Sequence, residues 1–400
     1  MDHYFANRMH NTQKSFIREI LKVTQDTEVI SFAGGLPNPD FFPIEELSAA
    51  STKAMAEQGR NMLQYSTTEG HGPLREYIAA RYAQKGLMVS PDDILITNGS
   101  QQGLDLIGKI FLNKGDKMIM ERPGYLGAIQ AFAMYEAEFL PVPLLADGID
   151  PQVLETTLQN HNPKLFYSVP NFQNPSGVTY SEAARRRTAE LLHGRDTIFI
   201  EDNPYGELRF AGEDLPSMKS YLGDNTILLG SFAKVVAPGV RLGWICARPE
   251  FIDKFIIAKQ AADLHSNYLS QCIVAQYLQD NDLDAHLTTI KAAYKKQCDL
   301  MTNLMDELFP PEVTFIRPEG GMFLWVTLPE GVSSLKLFEE AAKLKVVFVP
   351  GQPFYVDGGG ENTLRLNFSN SDEAKIETGI THLAHAIKTL LVKNSSLQPV

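Results

Sequence analysis

Residues 14–24 read KSFIREILKVT, with apolar side chains at 16, 17, 20, 21 and 23. Steps of three and four predict a helix with one apolar face. The passage that follows, VISFAGGLPNPDFFP at 29–43, is rich in Gly and Pro yet too apolar for a solvated linker, so it is predicted to run extended against the body. From about residue 74 to 290, strand-like and helix-like stretches alternate. DILITNGS (93–100) predicts a strand and a turn, and QQGLDLIGKIFL the helix after it. KMIMERP (117–123), KLFYSVP (164–170), TIFIED (197–202) and TILLGS (226–231) predict further short apolar strands, each ending in polar, Pro or Gly residues. Alternation of this kind predicts an α/β fold with a largely parallel sheet covered by helices. In such sheets ligands bind beyond the carboxyl ends of the strands.

Past residue 290 the pattern changes. A long helical segment, TTIKAAYKKQCDLMTNLMDELF, leads into GGMFLWVTL, VVFVP and TLRLNFSN, which read as strands, and then into a last helix. The expected organisation is an N-terminal arm over 1–45 that joins the small domain, a large domain over 46–290, and a smaller α+β domain over 291–400.

Composition narrows the classes of function. With 44% hydrophobic and 21% charged residues the chain has an ordinary globular make-up, and a net charge of −12 argues against nucleic acid as a partner. The N-terminus has no apolar signal stretch, and no run of apolar residues is long enough to span a membrane. Three widely spaced cysteines, Cys246, Cys272 and Cys298, offer neither a metal spacing nor a disulfide framework and fit a reducing, cytoplasmic location. His382 and His385 lie three apart on the last predicted helix and read as solvated or core-edge residues, so no metal is assigned.

Four strand ends carry chemistry. TNGSQ (97–101) puts Gly99, Ser100 and Gln101 where a helix begins, offering backbone N–H groups and a dipole to an anion. PNFQNPSG (170–177) sets Asn174 before a proline in a turn, and EDNPY (201–205) holds Asp202 and Tyr205 three apart in another. GSFAKVVAPGVRLGW (230–244) brings a hydroxyl, an amine and a guanidinium (Ser231, Lys234 and Arg241) to one region. Taken singly, each has a mundane alternative. Serine is a favoured helix N-cap, Asn-Pro is a common turn signal, and isolated aspartates and lysines are mostly solvated.

In order and spacing together, these motifs resemble the class I aminotransferases of fold type I, which use pyridoxal 5′-phosphate. The similarity extends to ISFAGGLPNPDFFP, QYSTTEGHGPLREYIA, TNGSQQGLDL, PEGGMFLW and NTLRLNFS, and so covers nearly the whole chain. It is strongest to the 2-aminoadipate/kynurenine and aromatic aminotransferase branch. The resemblance implies that Lys234 is the amine that condenses with the cofactor and later moves the proton. It implies that Ser231, Arg241, Ser100, Gln101 and the N–H groups after Gly99 hold the phosphate, and that Asp202 keeps the pyridine nitrogen protonated. Asn174 and Tyr205 would bond the ring oxygen, and Tyr125 would stack on the ring, although Gly124 stands where the family often has Thr. Ala233 replaces a serine common in the branch, with little consequence expected while Ser231 remains. Tyr65 matches a tyrosine that reaches the phosphate of a neighbouring subunit, which implies a homodimer with shared active sites. Arg365 would bind the substrate carboxylate as a bidentate pair, and Gly34-Gly35 would let backbone approach it closely.

By the same resemblance, the function expected is amino transfer between an L-amino acid (2-aminoadipate, glutamate, aromatic or leucine-like) and a 2-oxo acid such as 2-oxoglutarate. The alternatives are a β-eliminating C–S lyase on the same cofactor, or a non-catalytic sensor. The sensor relatives carry a DNA-binding domain ahead of this unit, for which an arm beginning by about residue 14 is expected to leave no room. Ser15 and Arg18 match an S-x-x-R helix that meets the substrate side chain in the aminoadipate branch, the other reading of Arg18 being a solvated helix residue. Arg18→Ala is expected to raise KM for acidic amino acids far more than for leucine or phenylalanine. Steady-state kinetics showing equal effects on both classes would remove Arg18 from the site.

Overall fold

The computed structural model describes residues 4–9 and 28–395. Among them are fourteen strands. They are β1 (Ile30–Ser31), β2 (Ile94–Thr97), β3 (Lys117–Arg122), β4 (Glu138–Leu145), β5 (Gly148–Ile149), β6 (Leu165–Ser168) and β7 (Ile198–Asp202). Then come β8 (Thr226–Ser231), β9 (Gly243–Cys246), β10 (Thr314–Phe315), β11 (Phe323–Thr327), β12 (Val346–Val347), β13 (Val349–Pro350) and β14 (Thr363–Asn367). The large sheet has eight strands in the order β2-β9-β8-β7-β6-β3-β4-β5. From β8 to β4 neighbours are parallel, while β2–β9, β8–β9 and β4–β5 are antiparallel.

Every residue of β2, β6, β7 and β8 is buried, because helices cover both faces. That is why these strands appear in the sequence as continuous apolar runs and not as alternations. The two faces still separate by parity. Met118, Met120, Leu165, Tyr167, Ile198 and Ile200 join one core, and Ile119, Phe166 and Phe199 join the other. Asp202 continues the first series and Glu121 the second.

The structure departs from the sequence reading in three places. GWIC, to which the sequence reading assigned no element, forms β9 and returns antiparallel between β8 and β2. VVFVP divides in two: β12 pairs in parallel with β1 of the N-terminal passage, while β13 pairs with β14 in the four-stranded sheet β10-β11-β14-β13. The helix that leads into this second unit spans Leu283–Leu308 and so is already formed before residue 291. The predicted helix at 14–24 lies outside the described residues.

Of the three consecutive arginines Arg185–Arg187, two are exposed and Arg185 is fully buried. Its guanidinium donates to the carbonyls of Tyr180 (3.1 Å), Pro216 (2.9 Å) and Pro170 (3.1 Å) and to Asn171 Oδ1 (2.6 Å). It thereby ties the turn after β6 to the helix Glu182–Leu192. Arg185→Ala would leave several buried acceptors unpaired. We expect a loss of about 3 kcal/mol or more, read as a lowered urea midpoint.

Candidate functional site

The carboxyl ends of β2, β6, β7 and β8 open on one cleft of about 390 Å³. Gly35, Gly99, Ser100, Gln101, Tyr125, Asn174, Asp202, Tyr205, Ser231, Lys234, Arg241 and Arg365 all line it. Local sequence explains how they arrive there. After β8, Ser231 Oγ accepts from the Ala233 amide (3.1 Å) and starts the 3₁₀ turn Phe232–Lys234. A second 3₁₀ turn, Pro238–Val240, ends at Arg241 in a left-handed conformation (φ 54°) and delivers the chain to β9. Across the cleft Gly99, at φ 73°, is the N-cap of the helix Ser100–Phe111. Ser100 is therefore the first helical residue and not its cap, and no side chain caps this N-terminus, so its N–H groups point outward. A β-carbon on Gly99 would lie 2.7 Å from Arg241 Nη2. Arg241 makes only long contacts, 3.4 Å to each of Asn98 O and Pro238 O. Helix N–H groups, a hydroxyl and a lightly engaged guanidinium together form a cradle for a phosphate-like anion.

Asp202, at the end of β7, is 2% exposed. Its Oδ2 accepts from Tyr167 O–H (2.7 Å), while Oδ1 is buried with no partner. Burial pushes its carboxyl up to about 7; the Tyr167 bond opposes this and the charge of Glu121 adds to it. A bare carboxylate oxygen facing a cleft fits a ligand that brings its own cationic N–H. Lys234 Nζ donates to Gly35 O (2.8 Å). Burial, with Arg365 and Arg241 nearby, brings this amine down to about 8, so its neutral fraction at neutral pH is about 300-fold that of an ordinary lysine.

Arg365, on β14, is 2% exposed and has no carboxylate partner among the described residues. It donates to Asn174 Oδ1 (2.8 Å) and Ala33 O (2.6 Å), packs over the Phe323 ring, and keeps a buried Nε unpartnered. Burial pulls it down to about 10. A guanidinium so held suits a carboxylate from outside. Asn174 Nδ2 and Tyr205 O–H stand 3.5 Å apart, at the limit of a hydrogen bond, so both remain able to turn toward a ligand. The Tyr125 hydroxyl is pushed up to about 12, chiefly by burial, and stays protonated.

Not every expected residue comes here. Tyr65 is 79% exposed, meets His265 edge to face and does not line the cleft. Ser15 and Arg18 lie outside the described residues. Val169 and Pro204 line the cleft without having been singled out, and Tyr167 was read only as part of an apolar strand. The register could have found Tyr167, since it pairs with Ile200 on the face that Asp202 continues. Among the described residues no group of His, Cys, Asp or Glu is arranged to hold a metal, and no helix is long and apolar enough to cross a membrane.

The model of a protein family described as "Aminotransferase class I and II" matches residues 28–383. An aromatic-amino-acid aminotransferase of Thermococcus litoralis is 42% identical, the match covering 98% of this chain and 95% of that one. A 2-aminoadipate transaminase of Thermus thermophilus is 42% identical over 97% of each. The solved kynurenine aminotransferase of Pyrococcus horikoshii superposes with a TM-score of 0.93 at 41% identity, covering 100% of this chain and 98% of that one.

The Asp202 carboxyl has a sign that stability can read. Its folded value lies above the 3.8 of an unfolded aspartate, so folding binds the proton more tightly and the carboxylate destabilises the bare protein increasingly from about pH 4 up through pH 7. In cofactor-free protein, Asp202→Asn is expected to gain stability over wild type as pH rises from 5 to 8, by a few kcal/mol at most. Urea denaturation at the two pH values checks this, and an unchanged difference would contradict it.

Proposed function

The chain belongs to the aminotransferase class I and II family, and we propose from that premise that it moves amino groups between 2-aminoadipate, glutamate, aromatic or leucine-like L-amino acids and a 2-oxo acid such as 2-oxoglutarate. Its cofactor is pyridoxal 5′-phosphate, as in the fold-type I aminotransferases it resembles in structure. The observation that carries the reading is the unpartnered Asp202 Oδ1 facing the same cleft as a lysine amine brought down to about 8.

When bound, the cofactor supplies a carbonyl that condenses with amines and a ring that accepts electron density from the substrate Cα. The residues divide the remaining work. Asp202 Oδ1 would accept the ring N–H and keep that proton in place, with Tyr167 fixing the carboxylate plane through Oδ2. Ser100, Ser231, Arg241 and the N–H groups after Gly99 would hold the phosphate, with Gln101 beside them. Tyr125 would cover one ring face, and Asn174 and Tyr205 would donate to the ring oxygen. Arg365 would grip the substrate carboxylate beside Gly35 and orient the Cα–H bond. Once freed, Lys234 Nζ would take the proton from Cα and return it to the cofactor carbon, a task suited to an amine whose proton affinity is already near the working pH.

The three substrate names found among the relatives support breadth across acidic and aromatic side chains. We propose also that the protein works in the cytoplasm as a homodimer. The exposed Tyr65 supports the dimer, since a partner's phosphate site would give that ring a place to bury.

The test is the absorption spectrum of the holoenzyme before and after a panel of amino acids. A cofactor band that shifts to the aminated form with glutamate and returns with a 2-oxo acid is the expected result, and a band that no amino acid moves would refute amino transfer. Lys234→Ala is expected to abolish turnover. Asp202→Asn should retain cofactor while losing most activity, and a fully active Asp202→Asn protein would remove its assigned role.

A further inference from the structure

Glu121 has no part in the chemistry above. It sits at the carboxyl end of β3, 1% exposed, on the face of the large sheet opposite Asp202. Four donors converge on it. Oε1 accepts from Ser168 O–H (2.6 Å), Tyr180 O–H (2.9 Å) and the Val169 amide (3.1 Å), and Oε2 accepts from Gln173 Nε2 (3.1 Å). Two of these donors cannot reverse. The Val169 amide has only its N–H to offer, and Gln173 is fixed because its Oε1 takes the Ser176 amide (2.8 Å) and its Nε2 also donates to Pro123 O (2.8 Å). Burial pushes the Glu121 carboxyl up and these four donors oppose that shift; because each oxygen receives a donor that cannot reverse, the arrangement favours the ionised form.

Among the described residues no cation is paired with that carboxylate. Arg185, the buried cation on the same face, directs its donors to three carbonyls and Asn171. Arg122, next in sequence, turns outward to Asp357 (3.0 Å). Lys117, at the other end of β3, and Lys164, just before β6, engage His161 and Asp116. The remaining titratable groups around Glu121 are Tyr180 and, across the sheet, Tyr167 with Asp202; Glu201 on its own face is held by Ser217 and the Met218 amide. A buried anion in this setting favours the protonated form of nearby acids, and Asp202, on β7 with only β6 between it and β3 and with an Oδ1 that has no partner among the described residues, is one of them.

We propose that Glu121 is a positioning residue for proton affinity: a buried, unpaired carboxylate that strengthens the hold of Asp202 on the proton of the cofactor ring nitrogen. The proposal rests on the pyridoxal phosphate reading of the cleft. A second negative charge two strands from Asp202 would favour the state in which a positive N–H is retained, and Glu121, which does not line the cleft, would supply that bias without touching the ligand. The direction agrees with the effect of Glu121 on Asp202 in the bare protein, where its charge raises the Asp202 carboxyl.

The experiment is nitrogen-15 NMR of the ring nitrogen of labelled pyridoxal 5′-phosphate bound to wild type, Glu121→Gln and Glu121→Asp, followed against pH. Glu121→Gln is expected to lower the midpoint for loss of the ring proton by about one unit, roughly a tenfold fall in affinity, while Glu121→Asp, which keeps the charge, stays close to wild type. Identical titrations in wild type and a folded, loaded Glu121→Gln protein overturn the proposal, as does an equal shift in both variants, which would mark a packing role only. Should Glu121→Gln not fold, the carbon-13 shift of the Glu121 carboxyl in wild type decides: ionised at neutral pH supports the proposal, protonated overturns it. Should wild type hold no pyridoxal phosphate, the aminotransferase reading falls separately. The same comparison is then made on the Asp202 carboxyl carbon, whose midpoint must drop in Glu121→Gln for the coupling to stand.

Discussion

Asp202, Lys234 and Arg365 are charged side chains held largely out of water at the mouth of the large sheet, and among the described residues none of them forms a salt bridge with another. Each pays for that desolvation in its proton affinity, the acid moving up and the two bases down. Much of the surrounding structure serves to keep them apart and dry. The β7 and β8 strands, buried along their whole length, fix where Asp202 and the Lys234 turn begin. Pairing β14 between β11 and β13 fixes Arg365. A ligand that brings a cation to Asp202 and an anion to Arg365 relieves two of these costs at once, so binding energy here comes from charges that folding left uncompensated.

The N-terminal passage binds the two halves of this arrangement. Its backbone enters the second unit through the β1–β12 pair and the Asn367 amide, which donates to Phe32 O (2.8 Å). Two carbonyls further along, Ala33 O and Gly35 O, accept from Arg365 and Lys234, one cation from each unit. An extended, apolar stretch rich in Gly and Pro is suited to this use, because it offers carbonyls to a cleft without side chains that would fill it.

Much of this was legible in the sequence. Fully buried strands announce themselves as short apolar runs, and their polar ends, Ser231 and Asp202 among them, could be placed at the cleft before any fold was known. What was not legible depends on tertiary partners. Arg185 looks like its exposed neighbours Arg186 and Arg187, since burial is decided by the carbonyls of turns distant in sequence. The four residues of β9 carry no periodic signal and become a strand only because β8 and β2 flank them. Tyr167 and Glu121 read as members of apolar strands, and only the register shows which face each one serves. Tyr65 matches a site residue in sequence but stands in solvent in a single chain, as a residue completed by another subunit would.

The loop between β8 and β9 carries both Lys234 and Arg241, and it is pinned at its two ends. Ser231 and Gly243 are register partners, Gly243 also pairs with Thr97, and a β-carbon on Gly243 would strike the backbone of Gly99 and Ser100 at 2.7 Å. The amine and the guanidinium are thus spaced by a fixed length of chain stretched between fixed posts. Residues added to or removed from this loop could be absorbed without disturbing either strand, so the sheet would tolerate what the chemistry would not. Changing the length of this loop is therefore a way to silence the protein while preserving its shape.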